Sequence, residues 1–296
     1  MRSSSSYATR PRTQYACPTP RDDPAEVSRS LPSLAVDRRV AASAQNEALA
    51  AILFLYKDVL NRDPGWVEHV VRAKRPQRLP VVLTRQEINV LLAALDGVSW
   101  IMGLLLYGSG LRVLECLRLR IQDVDFDANQ VTVRGGKGDK DRITLLPQAV
   151  KGPLAEHLKR VRAIHQSDMQ NGWGRVPLPD ALARKYPNAA ADWRGQYVFP
   201  ADHRWVNGQT GQEGRHHIHE SAVQRAVKEA VRKAGIAKHA TCHTFRHSFA
   251  THVLENGDDI RTIQELLGHT DVKTTMIYTH VLNRGGKGVR RPVDSL

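Results

Sequence analysis

The sequence predicts a mainly α-helical chain that carries a small antiparallel β-sheet. Helical patterns recur along the chain, as at 148–170, 223–231 and 260–267. Two short segments, 130–134 and 142–146, instead alternate between apolar and polar residues and flank a loop of glycine and lysine, as in a β-hairpin. Together these patterns favour an α+β fold in which helices predominate.

Composition indicates a globular protein with an anionic partner. The chain has 296 residues, 41% of them hydrophobic, which is enough for about two domains with buried cores. Its formal net charge of +13 attracts DNA or RNA. The longest apolar run, 48–55, is far shorter than the roughly 18 residues of a membrane span, and no secretory segment precedes it. We therefore expect no membrane partner and a cytoplasmic location.

Three cysteines are spread along the chain, at Cys17, Cys116 and Cys242. Their number is odd and none has the spacing of a paired metal-binding motif. Neither a disulfide framework nor a cysteine-based zinc site is predicted.

Three segments of different character precede residue 81. Residues 1–30 are rich in Ser, Pro and Arg without an apolar period, which predicts disorder. Residues 43–60 show apolar positions at helical spacing and predict one amphipathic helix. Residues 65–80 resemble a basic linker that lies near phosphates, although a solvated linker fits the same composition. The candidate phosphate contacts of this linker are Arg72, Lys74 and Arg75.

The following segments place charged residues beside helix starts and glycine hinges. A capping box at 84–87 predicts the start of a helix, and glycines within 108–110 end the apolar run that follows. A new helical pattern places Arg112 in its first turn and Glu115 on the same face. The predicted hairpin comes next, and its loop presents two lysines, Lys137 and Lys140.

Residues 171–215 interrupt the regular pattern. They follow the predicted helix at 148–170 and contain Pro and Gly without a helical or strand period. An irregular segment of this length indicates function or disorder. Its tryptophans are Trp173, Trp193 and Trp205.

The last third of the chain returns to helices. A helix that Thr241 can cap carries three polar residues at i, i+3 and i+4, which predicts one exposed polar face. These residues are His243, Arg246 and His247. The helix at 260–267 ends at a glycine, His269 follows directly, and Tyr278 lies in a further helical run.

These polar residues are the types that phosphoryl transfer needs. The transition state of a phosphodiester carries extra negative charge on its non-bridging oxygens, and Arg112 and Arg246 could each donate a fork of hydrogen bonds to them. A tyrosine hydroxyl, with an ordinary pKa of about 10, needs a nearby base and positive charge to act as a nucleophile. The histidines and arginines could supply both to Tyr278. A lysine on a hairpin, Lys137, could protonate the leaving oxygen.

Each residue also fits an ordinary structural role. An arginine on a helix is usually a solvated charge, His269 could interact with the end of a helix dipole, and Tyr278 among apolar neighbours fits a core position. His216, His217 and His219 could suggest a metal cluster, but their basic neighbours and the lack of carboxylate-rich spacing argue against one. No metal site is predicted.

Five motifs in one order resemble those of the tyrosine recombinase (phage integrase) family. They are GSGLR ending at Arg112, GKGDKDR containing Lys137, HTFRHSFATH beginning at His243, LLGH ending at His269, and YTH beginning at Tyr278. The resemblance implies a mostly helical catalytic domain at 81–296, with a small three-stranded sheet that carries the lysine.

The resemblance also implies a role for each matching residue. Arg112 and Arg246 would clamp the phosphate, Lys137 would be the general acid for the 5′ hydroxyl, His243 the general base, His269 a second phosphate donor, and Tyr278 the nucleophile that forms a 3′-phosphotyrosyl bond. No cofactor is implied, because the covalent link stores the bond energy for rejoining.

Within the family, residues about 171–220 resemble the added segment of integron integrases. This likeness implies cassette integration and excision by a homotetramer on DNA, with a double-stranded attachment site and a folded single-stranded cassette site as partners. It further implies a bacterial, nucleoid-associated protein whose aromatic residues stack on unpaired bases, worth about 1–3 kcal/mol per base. The candidate DNA-binding residues are Arg72, Lys74, Arg75, Lys140, Arg142, Trp193, Tyr197 and Lys273.

The amino-terminal part departs from the family pattern. Residues 31–64 resemble only the second half of a helical core-binding (SAM-like) domain, and residues 1–30 have no apolar stripe where the first helices belong. We therefore expect a truncated, mis-started or rearranged gene product. Two alternative functions stay open: a recombination-deficient DNA-binding protein of the same family, and a type IB topoisomerase, which shares much of the chemistry.

Overall fold

The computed structural model describes residues 40–61, 79–135, 141–178, 185–186, 188–206, 208, 211 and 213–282. The chain divides into two compact units, Met1–Arg78 and Leu79–Leu296. Several predicted features lie outside the described residues: the disordered segment at 1–30, Arg72, Lys74 and Arg75 of the linker, and the loop lysines Lys137 and Lys140.

The described residues of the first unit form one helix. Helix α1 spans Ala42–Phe54 and continues into a π-helical turn at Leu55–Val59. Leu49 and Tyr56, two turns apart on one face, are both buried. The helix predicted over 43–60 is confirmed, although only Leu49 and Tyr56 of its described side chains are buried.

The second unit is mainly helical. Its first half holds α2 (Arg85–Ala93), α3 (Gly97–Gly108) and α4 (Val113–Leu117), and the long helix α5 spans Gln148–Gln170. The later helices are α6 (Glu220–Lys233), α7 (Cys242–Glu255), α8 (Ile260–Leu267) and α9 (Val272–Leu282). Short 3₁₀ turns occur at Ile121–Asp123 and Trp193–Gly195. The predicted capping box is present, since Thr84 Oγ1 accepts the Glu87 N–H and Glu87 accepts the Thr84 N–H.

A three-stranded antiparallel sheet joins the first helices to α5. Its strands β1 (Val124–Asp125), β2 (Gln130–Val133) and β3 (Arg142–Leu145) pair in the order β1-β2-β3. The predicted hairpin and the small sheet are confirmed. Because alternate residues of a strand share a face, Arg142 points to the same side as Thr144, whose hydroxyl donates to the Ser109 carbonyl inside the domain.

The segment at 171–215 is more ordered than its sequence predicts. It contains β4 (Pro200–Val206), which pairs with β5 (Glu213–His217) in a second, antiparallel sheet with a register shift between Pro200 and Arg204. Arg215 of β5 forms a bidentate ion pair with Asp168 of α5, at 2.7 and 2.8 Å. The prediction of irregular structure was wrong for these strands because tertiary pairing, and not a period of apolar residues, holds them.

Two clusters of buried apolar side chains stabilise the second unit. The larger cluster contains side chains from each of the helices α2 through α7 and from the three-stranded sheet. The smaller one joins α7, α8 and α9 through Phe249, Ala250, Ile263, Leu267 and Tyr278. Within the described ranges, no helix is both long enough and apolar enough to cross a bilayer.

Candidate active site

Arg112 is the residue that precedes α4, directly after a tight glycine turn. Gly110 has φ +63°, and a β-carbon at this position would lie 2.5 Å from Cδ1 of Phe249. The left-handed backbone and this close approach both require glycine. The turn directs the Gly110 carbonyl to Arg246, whose Nη1 donates to it at 2.6 Å. The Gly-Ser-Gly segment therefore brings two arginines of distant sequence into one place.

Glu115 connects the arginines of the site. Its Oε1 accepts hydrogen bonds from Nη1 of Arg112 at 2.6 Å and from Nη1 of Arg142 at 2.9 Å. Its Oε2 accepts from Nη2 of Arg142 at 2.7 Å and lies 3.7 Å from Nη1 of Arg246. Burial by itself would raise the pKa of Glu115, but Arg142 and Arg112 lower it to about 2. The sequence placed Glu115 on the face of Arg112 without assigning it a function.

Arg142 serves the interior of this site, in contrast to its predicted role as a DNA contact. Its side chain is 9% exposed, its Nη atoms bind Glu115, and its Nε donates to the Leu266 carbonyl at 3.0 Å. A β-carbon at Gly268 would lie 2.7 Å from Cδ of Arg142. The guanidinium is therefore not free to contact DNA from the surface. Its position follows from the inward face of β3, which strand alternation alone does not reveal.

Arg246 is buried, although its helical spacing predicts an exposed face. Its side chain is 4% exposed, and its Nη2 donates to the Leu267 carbonyl at 2.5 Å. Carbonyls in the last turn of a helix lack intrahelical partners, so Arg246 stabilises the negative end of α8. Burial and the charge of Arg112 lower the pKa of Arg246 to about 10, which leaves it protonated at neutral pH.

His269 is positioned by the end of α8. Gly268 adopts φ +63°, its N–H donates to the Glu265 carbonyl, and the His269 N–H donates to the Gln264 carbonyl, which is a Schellman motif. The imidazole Nε2 lies 3.1 Å from Nη2 of Arg246, and because a guanidinium only donates, this nitrogen accepts. Burial, Arg246 and further cations lower the pKa of His269 to about 4. The ring is thus neutral in the DNA-free protein.

Tyr278 combines a core position with a hydroxyl that reaches the site. The residue is 2% exposed, and its ring belongs to the apolar cluster of α7, α8 and α9. Its Oη lies 3.0 Å from Nδ1 of His247. Burial raises the pKa of Tyr278, while the charges of Arg246 and Arg112 act in the opposite direction. A core position for the ring is therefore compatible with a reactive hydroxyl on the same residue.

His243 and His247 occupy successive turns of α7, with ring centroids 6.4 Å apart. His243, at the start of the helix, is exposed as a whole residue, but its ring is partly shielded from water. This desolvation, with the charges of Arg246 and Arg112, lowers the pKa of His243. Among the described residues, the phenol hydroxyl of Tyr278 has His247 as its hydrogen-bond partner and not His243. Spacing placed His247 on this face, but nothing in the sequence distinguished it as the partner of Tyr278.

The other predicted DNA contacts among the described residues are Tyr197, Trp193 and Lys273, and they do not take part in the arginine cluster. Tyr197 is 6% exposed, and its ring contacts the guanidinium of Arg120 at 4.7 Å and the ring of His216 at 5.3 Å. The structure therefore leaves Tyr197 no open face for base stacking. Trp193 is partly exposed beside His165, and Lys273 is exposed near the start of α9.

A groove of about 670 Å³ with a mainly apolar lining borders His243. Its polar lining residues include Gln224 and Lys228 of α6 together with Lys238 and His239. In the part of the chain that the structure describes, no group of three metal-binding side chains is placed to hold a metal ion. The groove therefore combines apolar side chains, such as Val113 and Val231, with a few cationic ones, of which Lys238 is already paired with Glu87.

Comparison with known proteins identifies the same region. Residues 81–284 match the model of the phage integrase family. The chain is 48% identical over 271 residues to an integrase/recombinase from Escherichia coli, covering 92% of this chain and 80% of that protein. It is 36% identical over 217 residues to tyrosine recombinase XerA from Pyrococcus furiosus, covering 72% of this chain and 62% of that protein.

Solved structures share the fold. The XerH site-specific recombinase bound to palindromic difH substrate superimposes with a TM-score of 0.58 at 19% identity, covering 89% of this chain and 70% of that chain. The Tn1549 transposon integrase in complex with a circular intermediate DNA gives a TM-score of 0.55 at 16% identity, covering 88% and 82%. With the family match and the relatives above, these findings show that the chain belongs to the phage integrase family of tyrosine recombinases, which break and rejoin DNA.

Proposed function

We propose that this chain is a site-specific DNA recombinase that cleaves DNA through a covalent 3′-phosphotyrosyl link to Tyr278. One observation carries the proposal: Arg112, Arg246, His269 and Tyr278 come from four separate elements and meet within one subunit. Arg246 contacts His269 directly, and the charges of both arginines act on the phenol. A tyrosine in a purely structural role has no need of this surrounding charge.

Arg112 and Arg246 are proposed to hold the scissile phosphate. The Arg112 side chain is 30% exposed, so it can reach a ligand while Glu115 orients it. A charge-assisted hydrogen bond contributes about 1.5–3 kcal/mol, and a preorganised donor accelerates reaction by about 100-fold to 1000-fold. Arrival of the phosphate anion also favours protonation of His269, which can then donate to a phosphate oxygen. Lys137, outside the described residues, is the proposed general acid.

The groove beside His243 is the proposed path of the DNA backbone. Lys228 and His239 line it, and the whole chain carries a net charge of +13. A surplus of positive charge next to a reactive centre increases the local concentration of a polyanion. The XerH and Tn1549 structures hold DNA, which is consistent with this assignment.

The finer proposal is that the chain is an integron integrase, a homotetramer on DNA that integrates and excises cassettes at the bacterial nucleoid. Residues 171–220 support it by their resemblance to the added segment of those enzymes. The segment carries the β4–β5 sheet and the partly exposed Trp193, whose ring contacts His165 and Arg162 of α5. Trp193 is the proposed stacking residue for an unpaired base of a folded single strand.

A suicide substrate tests the chemistry. The substrate is an attachment site with a nick close to the cleavage position, so that cleavage releases a short fragment that carries the new 5′ hydroxyl. It should leave a covalent adduct with the wild type and none with Tyr278→Phe. Tyr107→Phe is the matched control, because it removes another phenol hydroxyl, one that bonds His252 at 2.9 Å. Adduct formation by Tyr278→Phe, or wild-type binding without any cleavage, contradicts the proposed function. The second result would support a DNA-binding protein without catalysis.

A substrate comparison tests the integron assignment. We expect adducts with a folded single-stranded cassette site as well as with a duplex site, and the Trp193→Ala variant should lose only the folded one. Cleavage restricted to duplex DNA would refute the cassette assignment but retain the recombinase. Relaxation of supercoils without site preference would indicate a topoisomerase.

A further inference from the structure

We propose that Thr275 is a positioning residue for His269, and that its hydroxyl fixes which ring nitrogen of this histidine carries the proton. This inference rests on the proposed function, in which His269 donates to an oxygen of the scissile phosphate. Thr275 lies in α9 and is 0% exposed, and its Oγ1 is 3.0 Å from Nδ1 of His269. An imidazole held at one nitrogen by a buried group presents its other nitrogen in a fixed direction.

The main chain of His269 is fixed independently of its ring. Its N–H donates to the Gln264 carbonyl at 3.1 Å, and its own carbonyl accepts from Nε2 of Gln264 at 2.9 Å. The left-handed Gly268 before it ends α8. The rotation of the side chain about its own bonds is the freedom that these contacts leave, and the contacts at the two ring nitrogens restrict it.

The hydrogen-bond partners of the ring select one tautomer. Nε2 of His269 lies 3.1 Å from Nη2 of Arg246, and a guanidinium donates but does not accept, so this nitrogen carries no proton in the DNA-free protein. A neutral imidazole has its one proton on the other nitrogen. Nδ1 is therefore the donor and Oγ1 of Thr275 is the acceptor. The opposite tautomer would direct an N–H of the ring at an N–H of Arg246.

The same contact serves the protonated form of His269. When the phosphate arrives and the ring takes up a proton from solvent, both nitrogens donate. Nδ1–H continues to donate to Thr275, and Nε2–H donates to a phosphate oxygen. The phosphate then accepts from both His269 and Arg246, which replaces the direct contact between these two side chains. Thr275 thus holds the ring in one orientation before and after DNA binds.

Thr275 also opposes the groups that keep the ring neutral. Burial and positive charge lower the pKa of His269 to about 4, whereas an acceptor on Nδ1–H favours the protonated ring. The charged and titratable groups that face the ring are Arg246 and His247 of α7, Arg112 before α4 and Arg142 of β3. These are cations or an imidazole. The hydroxyl of Thr275 is therefore an uncharged acceptor among groups that disfavour protonation.

Thr275 connects His269 to the helix that carries the proposed nucleophile. It lies three residues before Tyr278 in α9, so the two side chains lie on the same side of the helix, and both are buried. Helices α8 and α9 pack against each other. The ring of His269 is oriented by Thr275 only while α9 lies against the end of α8. The position of the nucleophile helix and the direction of the phosphate donor are thereby coupled.

Three substitutions on α9 separate the hydroxyl from the packing of the side chain. Thr275→Val keeps the shape of the side chain and removes the acceptor, whereas Thr275→Ser keeps the acceptor. Thr274→Val makes the same exchange at the neighbouring residue, which is exposed. We expect the folded Thr275→Val chain to form the adduct with the suicide substrate at least about tenfold more slowly than the wild type, because a preorganised donor contributes about 100-fold to 1000-fold and here it is misdirected rather than removed. Thr275→Ser and Thr274→Val should stay within about threefold of the wild type.

The tautomer can be measured without any catalysis. Long-range NMR spectra of the full, DNA-free chain labelled with ¹⁵N-histidine distinguish a proton on Nδ1 from one on Nε2, and His269→Gln identifies the signals of this ring. We expect the proton on Nδ1 in the wild type and in Thr275→Ser. Thr275→Val should show a mixture of both tautomers, because its Nδ1–H has lost its acceptor.

The pH dependence of cleavage gives a further readout. Since His269 donates in its protonated form, the rate should fall as the pH rises through the pKa of His269 in the DNA complex. Loss of the acceptor on Nδ1–H lowers this pKa, so the fall should occur at lower pH in Thr275→Val and at the wild-type pH in Thr274→Val.

Several results would overturn the inference. They are a folded Thr275→Val that cleaves within about threefold of the wild type, a folded Thr275→Ser that is as slow as Thr275→Val, and a wild type with its proton on Nε2 of His269. A wild type that forms no adduct at all overturns the proposed function instead, and the tautomer spectra then still decide whether Thr275 orients His269.

Discussion

Replacing Glu115 by glutamine removes the negative charge that holds three arginines together. Its carboxylate accepts hydrogen bonds from Arg112 and Arg142 and lies close to Arg246, and its side chain is 12% exposed. Glu115→Gln keeps the size of the side chain. It turns an amide N–H₂ toward guanidinium groups that only donate, so both the charge and part of the hydrogen bonding are lost.

The pKa of Glu115 sets the size of the effect. A fall from its ordinary 4.5 to about 2 corresponds to about 3 kcal/mol of folding free energy, because one pKa unit is worth about 1.36 kcal/mol. A group whose folded pKa lies below its unfolded pKa stabilises the fold fully above the unfolded value and loses this contribution as the pH falls through the folded value. The contribution of Glu115 is thus complete at neutral pH, declines below pH 4.5 and is largely gone near pH 2.

Urea unfolding of wild type and Glu115→Gln across this pH range tests the prediction. We expect the variant to be about 3 kcal/mol less stable at pH 7 and the two proteins to converge toward pH 2. Glu229→Gln is the control, because Glu229 pairs with Arg232 on the exposed surface of α6 and should leave the midpoint unchanged. Equal midpoints for wild type and Glu115→Gln at pH 7, or a difference that persists unchanged to pH 2, would refute the reasoning.

Two further substitutions probe the support of the site. Gly268→Ala places a β-carbon 2.7 Å from Cδ of Arg142 on a left-handed backbone, so we expect a loss of about 1–3 kcal/mol in urea unfolding and slower adduct formation. Gly257→Ala, also left-handed but without neighbours within 4 Å, is its control, and an equal loss of activity there would contradict a steric cause. Asp168→Asn leaves the partly buried Arg215 without its charged partner, although it keeps the Ala201 and Asp202 carbonyls, and this loss costs about 1.5–3 kcal/mol locally. We expect faster hydrogen exchange in β4 and β5 and unchanged cleavage of duplex DNA; unchanged exchange would show that the ion pair does not hold the sheet.

Local patterns predicted much of the fold correctly. The helices at Gln148–Gln170 and Ile260–Leu267, the capping box at Thr84 and the β2–β3 hairpin all follow from periodicity, caps and glycines that act within a few residues. The β4–β5 sheet does not follow from such patterns. Its strands are mostly polar, and the pairing depends on contacts such as the Arg215–Asp168 ion pair, which join residues far apart in sequence.

The candidate site divides in the same way. Residue types suited to phosphodiester chemistry, and their order in motifs that resemble the tyrosine recombinase family, predicted Arg112, Arg246, His269 and Tyr278 as candidates. The side chains that contact these residues could not be predicted from the sequence. Arg142 was expected at the DNA surface, and His247 had no assigned role. Which side of a strand or helix turns inward is decided by packing against other elements.

The sequence by itself determined the helical character of the chain, its positive charge and the candidates for its reactive groups, since these depend on local propensity and on functional-group chemistry. Only the tertiary structure decided which groups touch. It placed the Glu115 carboxylate among three arginines and Nδ1 of His247 against the Tyr278 hydroxyl, because α4, β3, α7 and α9 approach one another only when their apolar faces are buried together.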